Sequence, residues 1–131
     1  MNTVLSCDTL DALGARFAIL SVGKYALPVR FRIRESAVEC RIPTWSGIGD
    51  LLEEPKELTL VATVETGAHL RWFLVRGEGT VVPDPDWDGL RPQFADRVSL
   101  DDLYHLVRLK PARMELVDEQ RGWGFRETVD L

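Results

Sequence analysis

The stretch "ELTLVATVETGAHLRWFLVRGEGTVV" (57–82) decides the fold class. It contains two runs, 57–66 and 70–82, that are rich in valine, threonine, leucine and aromatic residues, as strands are. The short "GAH" between them predicts a hairpin turn. Gly77 and Gly79 lie inside the second run, where glycine is typical of a bulge or of a strand bending at the corner of a barrel. We therefore predict a long antiparallel hairpin within a mainly β fold.

Further strands are predicted on both sides of this hairpin. The runs are "LPVRFRIR" (27–34), "SAVECRI" (36–42), "YHLVRLKPARMELVD" (104–118) and "GWGFRETVDL" (122–131). The third is one long strand or two strands broken at Pro111. Few helical crossovers are available to join parallel strands, so the sheet is expected to be antiparallel. About six strands are predicted in all, and a small closed antiparallel barrel is the best geometric solution, because closure removes exposed strand edges.

Three short helices complete the prediction. Leu10, Leu13, Phe17 and Leu20 recur at helical spacing, which predicts a helix over 9–21. Ser6 or Asp8 is expected to be its N-cap, and Gly23 is expected to close it. A capping box from Asp50 to Glu53 predicts a second helix, and Ser99 is expected to cap a helical turn within 98–104. The chain is predicted to be one domain, 1–131, with a helical segment, 1–23, before the barrel, 24–131.

Composition limits the partners. The 131 residues carry a formal charge of -5, which disfavours nucleic acid and anionic membranes as main partners. No apolar run reaches the ~20 residues of a transmembrane helix. Cys7 and Cys40 are too few for a disulfide framework, and no Cys/His cluster has metal-site spacing. We predict a cytoplasmic protein without a metal ion.

A row of arginines is the first candidate site. Arg30, Arg32 and Arg34 alternate with apolar residues, so an extended chain places the three guanidinium groups on one face. Such a row binds an anion by forked hydrogen bonds, or it forms a solvated face paired with acids such as Glu35 and Glu39. The residues alone favour the solvated face.

The loop "RIPTWSGIGDLLEEP" (41–55) is the second candidate. Thr44, Ser46 and nearby glycines before a helix are typical of a phosphate cradle, and Trp45 is suited to stack on a flat ring. Against this, a capping Asp50 would place a carboxylate where the phosphate would bind.

Catalysis by side chains alone has little support. His69 and His105 are isolated histidines, and no nucleophile elbow, metalloprotease motif or nucleotide-binding glycine motif is present. The catalytic residues are therefore unknown, and a cofactor would have to carry any reaction.

Four segments in order resemble the pyridoxamine 5'-phosphate oxidase-like FMN-binding split-barrel proteins. They are "LPVRFRIR", "CRIPTWSGIGDLLEEP" ahead of "LTLVATV", "LRWFLVRGEGTVV", and "HLVRLKPARMELVDEQRGWGFRETVDL". The resemblance spans about residues 24 to 131. It implies a six-stranded antiparallel split β-barrel of Greek-key type, a homodimer, and two FMN sites between the subunits.

The resemblance also implies a set of cofactor-binding residues. The early strand and the loop after the second strand would hold the flavin ring and its phosphate. The strand supplies Arg30 and Arg32, and the loop supplies Pro43, Thr44, Trp45 and Ser46. Arg71 and Trp72 would face the ring, and Trp123 and Arg126 would reach in from the partner subunit. The chain departs from the family pattern in one respect: no basic residue stands between Arg41 and Lys56, where the family brings an arginine–lysine pair to the phosphate.

The resemblance therefore predicts a protein that binds FMN or a related flavin or deazaflavin and has an oxidoreductase role on an unknown substrate. The alternative is a non-catalytic barrel that binds a small ligand or another protein and whose flavin site has degenerated. The missing basic pair and Asp50 support the alternative.

Overall fold

The computed structural model describes residues 5–92 and 100–131, with Thr66 described by its backbone alone. It contains seven strands: β1 (Phe17–Val22), β2 (Tyr25–Arg34), β3 (Ala37–Pro43), β4 (Lys56–Thr66), β5 (His69–Val81), β6 (Tyr104–Asp118) and β7 (Arg126–Asp130). Three short helices accompany them: α1 (Cys7–Ala12), α2 (Ile48–Leu51) and α3 (Leu100–Leu103). Single 3-10 turns occupy Thr44–Ser46 and Glu119–Arg121.

The sheet is antiparallel throughout and closes into a barrel. The strand order is β3-β2-β1-β4-β5-β6, and β3 also pairs with β6, so the ends of the sheet meet. The strand β7 is added to β6 outside this ring. The first four strands lie in the spatial order 4-1-2-3, which is a Greek key. The predicted six-stranded antiparallel barrel is confirmed, with one additional strand.

The helix predicted over 9–21 is wrong in its second half. Ser6 caps α1 as predicted, through a reciprocal hydrogen-bonded pair with Thr9, but the helix ends at Ala12. Gly14 follows at a φ of 76°, which is favourable for glycine and turns the chain away from the helix. Residues 17–22 then form β1, the sixth strand of the barrel, because pairing with both β2 and β4 outweighs weak helical spacing.

The helix α2 is also capped differently from the prediction. It begins at Ile48, and its N-cap is Gly47 at a φ of 76° with no side-chain hydrogen bond. Asp50 lies exposed in the first turn, so the predicted capping box does not form. The predicted helical turn is present as α3, while its predicted cap, Ser99, lies outside the described residues.

The barrel interior is apolar and contains both cysteines. Its largest fully buried side chains include Phe31, Phe73 and Met114. Cys7 and Cys40 are buried free thiols, and burial raises the pKa of Cys40 to about 12. Both thiols are therefore protonated and unreactive at neutral pH. In the part of the chain that the structure describes, no helix is long and apolar enough to cross a membrane.

The predicted bulge lies at Gly77. The register between β5 and β6 shifts between Arg76 and Gly77, and Gly77 is opposite Pro111. Pro111 cannot donate a hydrogen bond to the ladder, so the irregularity accommodates it and β6 continues as one strand. This bend lets the long β5–β6 pair curve around the barrel.

Candidate anion-binding site

The strand β2 separates its apolar side chains from its charged ones, as the alternation predicts. Val29 and Phe31 are buried in the barrel. Arg30 and Arg32 are half-buried on the outer face, and Arg34 is exposed near the turn. The three arginines therefore share one face, but their surroundings differ.

Arg32 and Arg34 bind groups of the protein itself. The Nε of Arg32 donates to Glu39 Oε1 at 2.9 Å, and its two terminal nitrogens donate to the backbone carbonyls of Asp86 and Asp88. Arg34 donates to the carboxylate of Asp86 at 3.1 Å. The guanidinium of Arg32, predicted to contact the flavin, is occupied on all three nitrogens.

Arg30 lies instead beside Arg41. The two residues are directly opposite each other across β2 and β3. Each guanidinium lies over an aromatic ring: Arg30 is 5.3 Å from the ring centre of Phe17, and Arg41 is 5.1 Å from that of Tyr104. Stacking on an aromatic face orients a guanidinium while leaving hydrogen-bond donors on its edge available.

These two arginines form the walls of an open cleft of about 270 Å³, completed by Phe17, Pro28, Val29, Pro43 and Tyr104. Within residues 5–92 and 100–131, no carboxylate forms an ion pair with Arg30 or Arg41. The hydrogen bond that holds Arg41 goes to a neutral acceptor, the carbonyl oxygen of Leu90, at 2.6 Å. Two adjacent arginines that have no carboxylate partner among the described residues indicate a candidate anion site.

In the loop after β3, the two hydroxyls predicted for the phosphate cradle have partners within the protein. The Thr44 hydroxyl donates to the carbonyls of Asp102 and Leu103, at 3.3 and 3.2 Å. The Ser46 hydroxyl donates to the Pro43 carbonyl and accepts from the Ile48 amide. Both hydroxyls therefore stabilise the loop, while Trp45, 84% exposed, remains available for contact with a ligand or a partner.

The remaining predicted residues lie across β5, β6 and β7. Trp72 is opposite Val117, which is opposite Arg126, so Trp72 and Arg126 share one outward row. Arg126 is paired with Glu115 at 3.0 Å, and Trp123 is completely exposed in the turn before β7. The Nε of Arg71 is buried without a hydrogen bond, 3.8 Å from the Asp118 carboxylate. None of these residues lines the arginine cleft.

An apolar row crosses the outer face next to the cleft. Pro28, Ile19, Val61 and Leu74 are opposite one another across β2, β1, β4 and β5. Ile19 is 45% exposed, and Phe17, at the cleft, is 63% exposed. We call this set, Phe17 with the four row residues, the apolar face. Exposed apolar patches of this kind are typical of interaction surfaces.

Sequence reasoning did not identify Arg41 and Tyr104 as site residues. A signal for Arg41 is present in the sequence: a two-residue turn at Glu35–Ser36, both at positive φ, places Arg41 opposite Arg30. Tyr104 has no such signal, since it reaches the cleft only because β6 closes the barrel against β3.

The histidines are not part of this site. His69 is exposed at the start of β5, and the ring of His105 packs so closely on Gly49 that a Cβ there would overlap it. Among the described residues, no three His, Cys, Asp or Glu side chains group as metal ligands. The described residues of the cleft therefore offer positive charge and aromatic faces, and no carboxylate or histidine is among them.

Comparison with solved structures identifies the barrel. The chain superposes on a protein from Clostridium acetobutylicum related to general stress protein 26 of B. subtilis, of the pyridoxinephosphate oxidase family, with a TM-score of 0.69, 8% identity, and coverage of 95% and 94% of the two chains. The chain has the split-barrel fold of the pyridoxamine 5'-phosphate oxidase-like proteins. No family model and no curated protein matches its sequence.

Two further solved structures of similar fold are of proteins named for a ligand. The general stress FMN/FAD binding protein from Xanthomonas citri has a TM-score of 0.64 and 15% identity, with 87% and 88% of the chains covered. A heme binding protein from Mycobacterium smegmatis has a TM-score of 0.72 and 11% identity, with 99% of this chain but 60% of that one covered. At these identities the likeness shows the fold alone.

Proposed function

We propose that this split barrel binds a flavin nucleotide, FMN or a related flavin or deazaflavin, with the phosphate in the cleft between Arg30 and Arg41. One observation carries the proposal: two adjacent guanidinium groups, both oriented by aromatic rings, have no carboxylate partner among the described residues. The similarity in fold to the FMN/FAD binding protein from Xanthomonas citri supports the class of ligand.

The residues of the site offer different contacts to the phosphate and to the flat ring of such a ligand. The arginine pair suits a phosphate, whose oxygens accept forked hydrogen bonds. The exposed rings of Phe17 and Trp45 are suited to contact a flat apolar group. Arg41 takes the role that Arg32 cannot fill, since the guanidinium of Arg32 is bound to Glu39 and to two carbonyls. The flavin would supply electron transfer, and an oxidoreductase role is the corresponding activity.

Binding of FMN and riboflavin tests this proposal, because riboflavin lacks the phosphate. We expect Arg41→Gln to weaken FMN binding about tenfold to a hundredfold, since a charge-assisted hydrogen bond contributes about 1.5–3 kcal/mol. Riboflavin binding should not change. The measurement is a titration of flavin fluorescence, with Arg76→Gln as control because Arg76 is an exposed arginine on the same sheet, outside the cleft.

If the purified protein binds neither FMN nor riboflavin, the proposal is wrong and the non-catalytic barrel replaces it. Equal affinity for both flavins would contradict the placement of the phosphate. The buried reduced thiols fit the cytoplasmic location that we propose for the protein.

We further propose that the protein is a homodimer formed through the apolar face. The cleft of about 270 Å³ is small for a nucleotide, since sites that enclose ligands of this size are about 300–1,000 Å³. A second copy packed beside the cleft would complete it and cover Phe17 and Ile19. Trp123 or Arg126 of that copy would then be available to the ligand.

We expect sedimentation to give a mass near twice 14.8 kDa for the wild type. Ile19→Asp should yield a folded monomer with weakened FMN binding, because it places an uncompensated charge in the interface. Leu131→Asp is the control, since Leu131 is 65% exposed but lies outside the apolar face. A wild-type monomer, or a dimer that Ile19→Asp does not disturb, would contradict this interface.

A further inference from the structure

The arginine row holds a segment that crosses the outside of the barrel. Residues 82–92, which we call the strap, leave the end of β5 and run over β2 and β3. Arg32 donates to the strap carbonyls of Asp86 and Asp88, and Arg34 donates to the Asp86 carboxylate. On its inner side, Trp87 and Leu90 are buried. They form a small second core with Leu100 and Leu106.

The strap contacts the candidate anion site at Arg41 and at Tyr104. The Leu90 carbonyl accepts a hydrogen bond of 2.6 Å from Arg41 Nη1, on the edge of a guanidinium whose face lies over Tyr104. Tyr104 also touches the strap, because its ring meets that of Trp87 at an edge-to-face angle of 60°. Arg41 is therefore fixed by the strap and by a residue packed against the strap. Arg30 stacks instead on Phe17, which lies on β1 and not in the strap.

Arg32 anchors the strap without lining the cleft. Its side chain is 12% exposed and is fixed by Glu39, which also accepts from Arg108 at 3.0 Å. From this rigid position the guanidinium reaches two strap carbonyls at once, a geometry that lysine cannot reproduce. Within the strap, the Asp88 amide donates to the Asp86 carboxylate, and Arg34 donates to it from β2. These two hydrogen bonds hold the pKa of that carboxyl below its usual range.

We propose that the strap positions Arg41 for anion binding, so that Arg32 acts on the affinity of the cleft through the strap and not by touching the ligand. This inference rests on the proposed function for the identity of the ligand and concerns the regulation of the same site. Coupling is reciprocal. Hence an anion held by Arg41 must stabilise the strap as much as the strap stabilises the bound anion.

The first test uses the free protein and needs no ligand. Amide hydrogen exchange is measured at Asp88 and Leu90, whose N–H groups bond within the strap, to Asp86 Oδ1 and the Trp87 carbonyl. We expect Arg41→Gln to accelerate this exchange on the order of tenfold. Arg30→Gln removes the other cleft arginine and should leave it unchanged. Equal exchange in both variants would overturn the proposal.

The second test measures FMN affinity in Arg32→Lys. This variant keeps a positive charge beside Glu39 but cannot donate to both strap carbonyls. We expect FMN to bind about tenfold more weakly, within the usual range of coupling between sites, and riboflavin to bind as before. Arg34→Lys is the matched control and should leave FMN affinity unchanged, because a lysine can keep the single ion pair with the exposed Asp86 carboxylate.

The salt dependence of FMN binding separates positioning from direct contact. The slope of affinity against salt concentration reflects the charges that the ligand engages. It should fall in Arg41→Gln and stay at the wild-type value in Arg32→Lys. Wild-type affinity in Arg32→Lys, or a reduced slope in that variant, would overturn the proposal. If the wild type binds no FMN, the proposed function fails, and the exchange test still decides whether the strap and Arg41 are coupled.

Discussion

Replacing Glu39 with alanine is expected to lower the free energy of unfolding by about 3–5 kcal/mol, the usual cost of removing one partner from a buried ion pair. Glu39 is only 4% exposed and is opposite Arg32 on one side and Arg108 on the other. Its two carboxylate oxygens accept from these arginines at 2.9 and 3.0 Å. Without the carboxylate, the half-buried guanidinium groups of Arg32 and Arg108 would lie close together with no negative charge between them.

Urea denaturation followed by circular dichroism measures this effect. Glu78→Ala is the control, because Glu78 is an exposed strand glutamate and surface changes of this kind usually cost less than about 0.5 kcal/mol. Glu39→Gln should fall between the two, since the amide retains an acceptor but not the charge. A loss below about 1 kcal/mol in Glu39→Ala would show that water screens this pair as it screens a surface salt bridge.

Replacing Gly77 with alanine is expected to cost about 3 kcal/mol or more, at the upper end of what overpacking costs. An added Cβ at this position would overlap the backbone carbonyl of Lys110 on the neighbouring strand. The obstacle is main chain, so relief requires β5 and β6 to move apart at the bulge. Both strands belong to the closed ring, and the strain would therefore spread around the barrel.

Gly79→Ala provides the matched control two residues along the same strand. There an added Cβ would overlap Cδ1 and Cγ of the buried Leu58 side chain, which can move by a change of rotamer, as main chain cannot. We expect this change to cost about 1 kcal/mol. Thermal denaturation of the two variants should show a clearly larger decrease in Tm for Gly77→Ala. Similar decreases would mean that the bulge itself can relax.

The strand predictions succeeded where the residue types of a segment favour a strand and its neighbours in the fold also pair with it as a strand. The runs that became β4 and β5 are rich in strand-forming residues and joined by a short turn, and both formed with the bulge at Gly77. The prediction of a helix over 9–21 failed at β1. Its spacing of leucines and Phe17 matches a helix, but Ala18, Leu20 and Val22 are buried by strands on both sides. A single segment carries no information about those neighbours.

The candidate site was less predictable than the fold. Arg30 and Pro43 were predicted from the sequence and lie in the cleft, while Tyr104 reaches it from a strand more than sixty positions along the chain. The predicted hydroxyls of Thr44 and Ser46 are engaged by nearby carbonyls, which depends on how the loop meets α3 and β3. Hydrogen-bond partners of this kind are set by packing and not by residue type.

By itself, the sequence determined that Arg30, Arg32 and Arg34 share one face, because side chains alternate along any strand. Only the tertiary structure decided what each of them meets. The strap crosses β2 at Arg32 and Arg34 and supplies carbonyls and a carboxylate, whereas Arg30 lies beside Arg41 with no carboxylate partner among the described residues. The physical reason is that charge compensation depends on distance in space, and the strap lies more than fifty residues away in the chain.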